Sequence, residues 1–254
     1  MIGAGAVGRS VVELAGEYGH EVVAVADSSS ATVADGTGGR AGAGGDDSVG
    51  VDPDAVVARK AERGIVGDAD PEDALSADYD VLVEATPTTL GDAEPGFSHV
   101  TAALERDRHA VLANKGPVAE RFGDLRAAVD DSDGEIRFEA TVGGAIPAVS
   151  TVEDIEPGHV TAVRGVLNGT ANFILTRMAA EGLDYEHVLA EAQDLGVAEA
   201  DPSFDVDGTD AALKCVILAN VLSFGAADDP ADAREFTLDD ADVSGIRDVP
   251  GSAL

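Results

Sequence analysis

The sequence predicts an α/β protein: a parallel sheet flanked by helices, followed by a mixed α+β domain that begins at Pro147. Two observations carry this prediction. Short apolar segments of strand length alternate with helical segments as far as residue 146, as in parallel sheets built from βαβ units. After Pro147 helical segments dominate. We therefore predict two domains, residues 1–146 and 147–254, within 254 residues.

A glycine-rich turn opens the first domain. A GxGxxG motif spans residues 3–8, segment 9–18 predicts a helix, and segment 21–26 predicts a strand that ends at an aspartate. This order and spacing is typical of a Rossmann-type unit, in which the turn meets the pyrophosphate of a dinucleotide and the acid holds a ribose. The candidate cofactor contacts are Gly3, Gly5, Ala6, Val7, Gly8 and Asp27.

Only Met1 and Ile2 precede this turn, although the preceding strand lies at the centre of such sheets and is normally about five residues long. We hypothesise that the natural protein starts upstream. Residues 34–51 are rich in Gly and Asp and predict a flexible loop. The apolar pattern then predicts, in order, helix 53–63, strand 79–85, helix 98–106, strand 109–113 and strand 135–140.

Thr86 and Lys115 each follow one of these strands. The carboxyl edge of a parallel sheet is where ligands bind, so we expect both residues near a nicotinamide. Lys115 has an alternative interpretation as an ordinary residue at the start of a helix.

In the second domain the pattern predicts strand 160–167 and helices 171–180, 185–195 and 209–224. The last helix has apolar residues on every side, so we expect it to be buried all round, with Cys215 as a small buried residue. The tail 226–254 is acidic and predicts no packed closing element.

The chain has only three lysines, and Lys214 lies four residues after Asp210 in the apolar helix. This spacing places the two side chains on one helix face, where they can pair. The pair is either an ion pair at the rim of the core or part of a polar pocket. The second interpretation is favoured by four further acids ahead of the helix: Glu199, Asp201, Asp205 and Asp207.

The charge balance is strongly acidic, with 49 Asp and Glu against 16 Lys and Arg and a formal net charge of -33. High salt screens such self-repulsion, which favours a halophilic surface over an acidic module for basic partners. Nothing here neutralises phosphates, so binding to nucleic acid is not expected. We find no apolar stretch of 18 residues and no signal peptide, and expect a cytoplasmic protein without a membrane segment.

Seven segments together resemble the homoserine dehydrogenase family, in order and across nearly the whole chain. They are GAGAVG, ADSS, VEATPT, ANKGP, EATVGGAIP, GVLNGTANFIL and EAQDLGVAEADPSFDVDGTDAALK. The resemblance is to a monofunctional, haloarchaeal type, and family members extend beyond both ends of this chain. It implies NAD(P)-dependent interconversion of L-homoserine and L-aspartate 4-semialdehyde in threonine and methionine biosynthesis, and a homodimer formed through the second domain.

The resemblance also implies roles for individual residues. Lys214 and Lys115 match the active-site lysines, Asp210 the acid before the first of them, and Glu199 the substrate-binding glutamate. Lys214 is then the proton donor and Asp210 its orienting partner, while Glu199 and Asp205 bind the substrate ammonium. A sodium ion would be held by main-chain carbonyls of four residues, which are Glu139, Val142, Gly144 and Ile146.

The sequence does not decide between NAD and NADP as the cofactor. Asp27 would repel a ribose 2′-phosphate and favours NAD, whereas Ser28, Ser29, Ser30 and Arg40 would suit NADP; we lean to NAD. Two alternative functions also remain, a related amino-acid or semialdehyde dehydrogenase and an inactive nucleotide-binding fragment.

Overall fold

The computed structural model describes residues 1–34, 50–227, 229 and 232–250. It divides into two compact units, Met1–Thr141 and Val142–Leu254, close to the predicted boundary at 146. Residues 35–49, which make up most of the predicted loop and include Arg40, lie outside the described residues.

The first unit is built on a parallel sheet, which confirms the predicted fold class. Its strands are β1 Ala24–Ala26, β2 Ala31–Val33, β3 Val81–Glu84, β4 His109–Leu112 and β5 Ile136–Arg137. Strands β3 and β4 pair in parallel, as do β4 and β5, and Ile2 forms parallel bridges to Ala26 and Glu84 on either side of it. The order across the sheet is therefore β2, β1, Ile2, β3, β4, β5.

The two residues before the glycine turn occupy the central position of this sheet. The Ile2 N–H donates to the Val83 carbonyl at 2.9 Å, and the Ala85 N–H donates to the Ile2 carbonyl at 2.8 Å. On the other side the Ala26 N–H donates to the Met1 carbonyl at 2.9 Å. The sheet is continuous through this short segment because both of its edges are paired.

Strand β2 was not predicted. It pairs antiparallel with β1 in a hairpin whose turn depends on Asp27. One oxygen of that carboxylate accepts the backbone N–H groups of Ser29 and Ser30, both at 2.8 Å. An aspartate that accepts N–H groups two and three residues ahead reverses the chain, so the acid at the end of β1 also starts the next strand.

In the described residues of the first unit, six helices flank the sheet. One of them, α2 (Pro53–Arg63), has the predicted bounds because both of its ends are capped. Asp52 accepts the N–H groups of Asp54 and Ala55 at its start, and Gly64 has a left-handed φ of 75° at its end. The predicted strand 135–140 is shorter than expected, because a 3-10 turn follows β5. The helices are α1 Ala6–Ala15, α2 Pro53–Arg63, α3 Pro71–Ser76, α4 Gly96–Leu104, α5 Gly116–Glu120 and α6 Phe122–Asp130, with 3-10 turns at Gly16–Tyr18 and Glu139–Thr141.

In its described residues, the second unit consists of helices. The helices are α7 Ala148–Asp154, α8 Gly169–Glu181, α9 Tyr185–Asp194, α10 Ser203–Val206 and α11 Thr209–Ala226, with 3-10 turns at Pro157–His159 and Leu238–Asp240. Helices α8 and α9 pack together around a core that includes Ile174, Met178 and Val188, with Val206 of α10 beside them.

The predicted strand 160–167 is wrong. The segment has no strand assignment, and Val163 and Val166 are 47% and 73% exposed. Its alternation of β-branched residues favours an extended chain, but a strand also needs a neighbour that completes its hydrogen bonds. No such neighbour is present in the part of the chain that the structure describes.

Helix α11 is less buried than predicted. Leu213, Ile217 and Val221 lie in the core, but Cys215 is exposed, which corrects both the all-round burial and the buried cysteine. Our expectation that no apolar stretch reaches 18 residues is also wrong. Helix α11 is long enough and apolar enough to cross a membrane. The core helix of a soluble protein meets the same two criteria.

The tail packs more than predicted. Asn220 of α11 binds the backbone of Phe236 in both directions, at 2.7 and 2.9 Å. The Ile246 N–H donates to the Val206 carbonyl at 2.8 Å, and Arg247 pairs with Asp207 at 2.6 Å. The described part of the tail is therefore tied to α10 and α11 by side-chain and backbone bonds that its composition does not indicate.

Candidate active site

The three glycines of the turn differ in the space around them: Gly3 and Gly8 are closely packed, whereas Gly5 is open. Gly3 has a φ of 98°, and a Cβ there would lie 2.4 Å from the carbonyl carbon of Ala85. A Cβ on Gly8 would lie 1.8 Å from the Gly3 oxygen, so α1 approaches this closely only because the residue is glycine. A Cβ on Gly5 would have no atom of the described residues within 4 Å. The space beside Gly5 fits the pyrophosphate of a dinucleotide.

The N-terminus of α1 suits an anion. Gly5 caps it in an extended conformation, no side chain bonds to the cap, and the first turn has no acidic residue. Ala6 and Val7 supply N–H groups of this turn, and Val7 is 53% exposed. The first N–H groups of a helix have no intrahelical acceptor and carry partial positive charge, which stabilises a phosphate.

Asp27 forms a compact polar cluster. Its Oδ1 accepts from the backbone and hydroxyl groups of Ser29 and Ser30, and its Oδ2 accepts from Lys60 Nζ at 2.8 Å. Burial by itself would raise the pKa of Asp27, but the hydrogen bonds from Lys60, Ser29 and Ser30 outweigh it and lower that pKa to about 2. Two of the three serines that would suit a 2′-phosphate, Ser29 and Ser30, are therefore already bonded to Asp27.

The loops after β3 and β4 meet at the carboxyl edge of the sheet. Asn114 Nδ2 donates to Thr86 Oγ1 at 3.1 Å, and the Lys115 N–H donates to Thr88 Oγ1 at 3.3 Å. Lys115 is the N-cap residue of α5, consistent with its alternative interpretation as a helix-start residue, and it is half-buried. In the first unit the predicted Thr86 and Lys115 thus belong to adjoining loops.

Lys214 forms the centre of a second cluster, within the second unit. Its Nζ lies 2.7 Å from Asp210 Oδ2 and 2.6 Å from the Leu167 carbonyl. The side chains of Lys214 and Asp210 are 15% and 8% exposed. An ammonium held by a carboxylate and a carbonyl has a defined position and retains a third N–H for another acceptor.

Asn168 joins the acids around this lysine. Its Nδ2 donates to Asp205 at 2.6 Å and to Asp210 at 2.9 Å, while its Oδ1 caps α8 by accepting the Ala171 N–H. One amide therefore sets the separation of two carboxylates. The predicted Asp205 belongs to the cluster through this contact.

The other predicted acids do not join the cluster. Glu199 is exposed, and its backbone carbonyl accepts from Gln193. Asp201 accepts the Ser203 N–H, and Asp207 pairs with Arg247. Proximity in sequence placed these acids at the approach to α11, but local turns direct them to other partners.

Among the described residues no group of three His, Cys, Asp or Glu side chains could hold a metal ion. This does not test the predicted sodium site, which uses main-chain carbonyls. Glu139 belongs to the first unit, and Val142, Gly144 and Ile146 to the second. Gly144 has a φ of 59°, and the Ile146 carbonyl accepts the Ala148 N–H at 2.8 Å.

Two family models match the chain. The model described as homoserine dehydrogenase, NAD binding domain, matches residues 3–139, and the model described as homoserine dehydrogenase matches residues 147–253. The chain belongs to the homoserine dehydrogenase family. Its first unit is accordingly an NAD-binding domain.

Relatives within the homoserine dehydrogenase family agree with this assignment. A homoserine dehydrogenase of Methanocaldococcus jannaschii is 39% identical over 178 residues, which cover 70% of this chain and 50% of the relative. An NAD(+)-dependent homoserine dehydrogenase of Pseudomonas canavaninivorans is 39% identical over 168 residues, or 66% of this chain and 45% of the relative. The matched part of this chain spans about half the length of each of these two relatives.

Solved structures of homoserine dehydrogenases share the fold. The enzyme of Thermoplasma acidophilum has a TM-score of 0.76 and 29% identity, over 97% of this chain and 72% of the other. A hyperthermophilic archaeal homoserine dehydrogenase in complex with NADPH has a TM-score of 0.70 and 25% identity, over 98% of this chain and 73% of the other.

Three residues with contacts at these sites are not among the candidates that the sequence predicts. They are Lys60, which pairs with Asp27, Asn168, which bonds to Asp205 and Asp210, and Glu84, which bonds to Thr86. Scarcity of lysine was the available signal for Lys60. The signal for Asn168 and Glu84 was weaker, because a polar residue next to apolar segments is also an ordinary cap or strand end.

Proposed function

We propose that the protein interconverts L-homoserine and L-aspartate 4-semialdehyde with a nicotinamide cofactor, on the route to threonine and methionine, as a cytoplasmic enzyme. The observation that carries the proposal is the Lys214 cluster, in a domain of the homoserine dehydrogenase family. Its ammonium is held at 2.7 Å from Asp210 and 2.6 Å from the Leu167 carbonyl. The reaction needs a positioned proton donor of this kind.

When bound, the reduced nicotinamide supplies the hydride that reduces the aldehyde carbon. The aldehyde oxygen gains negative charge as its double bond becomes a single bond, and Lys214 donates a proton to it. In the oxidative direction the neutral amine accepts the hydroxyl proton. Asp210 and the Leu167 carbonyl keep the Lys214 Nζ in place, so its third N–H is available to the substrate oxygen.

The substrate ammonium needs a carboxylate, and Asp205 is the candidate that the cluster supports. Asn168 holds Asp205 at a fixed distance from Asp210, so one carboxylate can orient Lys214 while the other binds the substrate. Glu199 is exposed and remains a proposed substrate ligand on the resemblance alone. Lys115 remains the second candidate for stabilising the oxygen.

The cofactor site supports use of both NAD and NADP. Asp27 disfavours a 2′-phosphate, but the Lys60 ammonium 2.8 Å away offsets its charge. Asp27 therefore favours NAD less strongly than the sequence alone predicts. Both cofactors occur among the relatives, because one is an NAD(+)-dependent homoserine dehydrogenase and another is a homoserine dehydrogenase solved in complex with NADPH.

Two further features belong to the same proposal. A homodimer through the second domain would cover Val163 and Val166, which are exposed in the extended segment 160–167. Light scattering of the purified protein in high salt tests for the dimer mass. We also propose the sodium ion that the resemblance implies, and no proton step depends on it.

The decisive experiment is homoserine-dependent reduction of NAD and, separately, NADP, followed by absorbance in about 2 to 3 M salt to screen the charge. We expect turnover with both. A folded protein that binds nucleotide and has no turnover would contradict the proposal. Turnover of another hydroxy amino acid with none of homoserine would instead assign a related dehydrogenase.

A further inference from the structure

Glu84, at the end of β3, is a completely buried carboxylate. Its Oε1 accepts the backbone N–H of Thr86 at 3.2 Å and the Thr86 hydroxyl in a short hydrogen bond, and lies 3.5 Å from His99 Nδ1. Its Oε2 is buried and has no hydrogen-bond partner among the described residues. The only basic side chain paired with it in that part of the chain is His99.

This arrangement is costly, because a buried carboxylate loses its hydration and here regains only part of it through hydrogen bonds. A leucine or glutamine in the same strand would avoid much of that cost. Both oxygens are also closed to solvent, so Glu84 cannot contact a ligand directly. Its role must be sought in the groups that it holds.

Glu84 holds Thr86 in one orientation. The Thr86 hydroxyl donates to Glu84, which leaves its oxygen lone pairs to accept Asn114 Nδ2 at 3.1 Å. Asn114 then uses its Oδ1 to accept the Gly116 N–H at 2.9 Å. A single chain of hydrogen bonds thus runs from β3 to the loop that follows β4.

Helix α4 supports this chain from behind. His99, one turn into α4, contacts Glu84, and Gly96 at the start of α4 lies against Asn114. A Cβ on Gly96 would lie 2.5 Å from Asn114 Nδ2, so the helix leaves the amide no room to move towards it. Asn114 itself is 1% exposed.

This chain of hydrogen bonds, from Glu84 through Thr86 to Asn114, lies at the point where the order of strands in the sheet reverses. Ile2 leads to β1 on one side, whereas β3 lies on the other, and Gly3 approaches the Ala85 carbonyl at this boundary. Ligands of open parallel sheets bind outside such a point, at the carboxyl ends of the strands. Thr86 and Asn114 are the residues that the Glu84 chain holds at this edge.

We propose that Glu84 and His99 are a positioning pair that fixes Thr86 and Asn114 to receive the nicotinamide end of the cofactor. The pyrophosphate end binds elsewhere, at Gly5 and the start of α1. Loss of the pair should therefore weaken binding of the whole cofactor more than binding of its ADP-ribose part. This inference rests on the proposed use of a nicotinamide cofactor.

The test compares dissociation constants of NADH and ADP-ribose by titration calorimetry in high salt. In Glu84→Gln we expect the constant for NADH to rise about tenfold, as for loss of a hydrogen bond to a charged group, and that for ADP-ribose to change less than about twofold. His99→Gln should act in the same direction by about threefold, because its 3.5 Å contact is weaker. This second variant covers the case in which Glu84→Gln does not fold.

Asp80→Asn is the matched control. Asp80 lies just before β3 at its opposite end, is exposed, and pairs with Arg108 at 3.5 Å, so the same change of acid to amide should alter neither constant. The proposal would be overturned if the variants weakened binding of NADH and ADP-ribose equally. It would also be overturned if neither Glu84→Gln nor His99→Gln changed the dissociation constant of NADH. Wild-type protein that binds ADP-ribose without homoserine turnover would contradict the proposed function separately.

Discussion

Two of the three lysines of this chain form specific ion pairs. Lys214 pairs with Asp210 one helical turn away, and Lys60 pairs with Asp27 across 33 positions of sequence. The first pair could be predicted, because four-residue spacing in a helix dictates proximity. The second could not, because only the packing of α2 beside the end of β1 brings its members together.

For Lys214 we predict that substitution slows the chemical step without weakening cofactor binding. Lys214→Ala should lower kcat at least about a hundredfold, since a positioned acid contributes that much, and leave the dissociation constant of NADH nearly unchanged. Steady-state rates and calorimetry measure the two effects. The matched control is Cys215→Ala, the next residue on α11, which is exposed and should keep kcat. Normal turnover in Lys214→Ala would remove this lysine from the mechanism.

At Asp27 we predict a dependence of stability on pH. Its pKa falls from 3.8 to about 2 on folding, so the ionised carboxylate stabilises the fold fully above about pH 4, and this stabilisation is lost as the pH falls towards 2. Lys60 supplies one of the hydrogen bonds that lower this pKa, so Lys60→Ala should lower the free energy of unfolding by about 1 kcal/mol at pH 6, with a smaller difference from wild type below pH 4.

Denaturant unfolding across this pH range measures the effect of Lys60→Ala. The control is Arg59→Ala, whose ion pair with Asp68 is longer, at 3.8 Å, and more exposed. It should cost less than about 0.5 kcal/mol. A difference between Lys60→Ala and wild type that stays constant down to pH 2 would show that the lysine acts through packing and not through its charge.

Two glycines at the start of α1 differ in their role: Gly8 allows close packing, and Gly5 leaves space for the proposed pyrophosphate. Gly8→Ala places a methyl group 1.8 Å from the Gly3 oxygen and should lower Tm by at least about 4 °C. Gly5→Ala meets no atom within 4 Å and should keep Tm within about 1 °C, yet raise the NADH dissociation constant about tenfold or more. Thermal unfolding and calorimetry check both, and unchanged NADH binding in Gly5→Ala would contradict the pyrophosphate site.

Elements with local signals were predicted well, and elements that depend on distant partners were not. Helix α2 has the predicted bounds because Asp52 and Gly64 cap it. Segment 160–167 has strand-like residues but no pairing strand in the described part of the chain. Helix α11 has apolar residues on every side, yet Cys215 is exposed. The exposure of a helix face depends on how much of the chain packs against it, which composition does not determine.

The net charge of -33 causes repulsion between like charges across the whole molecule. Screening shortens the Debye length from about 10 Å at 0.1 M salt to about 3 Å at 1 M, so we predict that Tm rises as KCl is raised to about 3 M. Circular dichroism follows the transition. Sucrose, which stabilises without screening, is the control and should give a smaller gain. A Tm that is independent of KCl would contradict a surface adapted to salt.

Sequence patterns alone predict the parallel sheet, the glycine turn and the pairing of Asp210 with Lys214. Each of these depends on the period of apolar residues or on residues close together in sequence. Three other contacts are visible only in the folded protein: Lys60 offsets the charge of Asp27, Asn168 joins Asp205 to Asp210, and Glu84 bonds to Thr86, which in turn bonds to Asn114. These contacts join elements that are distant in sequence, and packing alone brings such elements together.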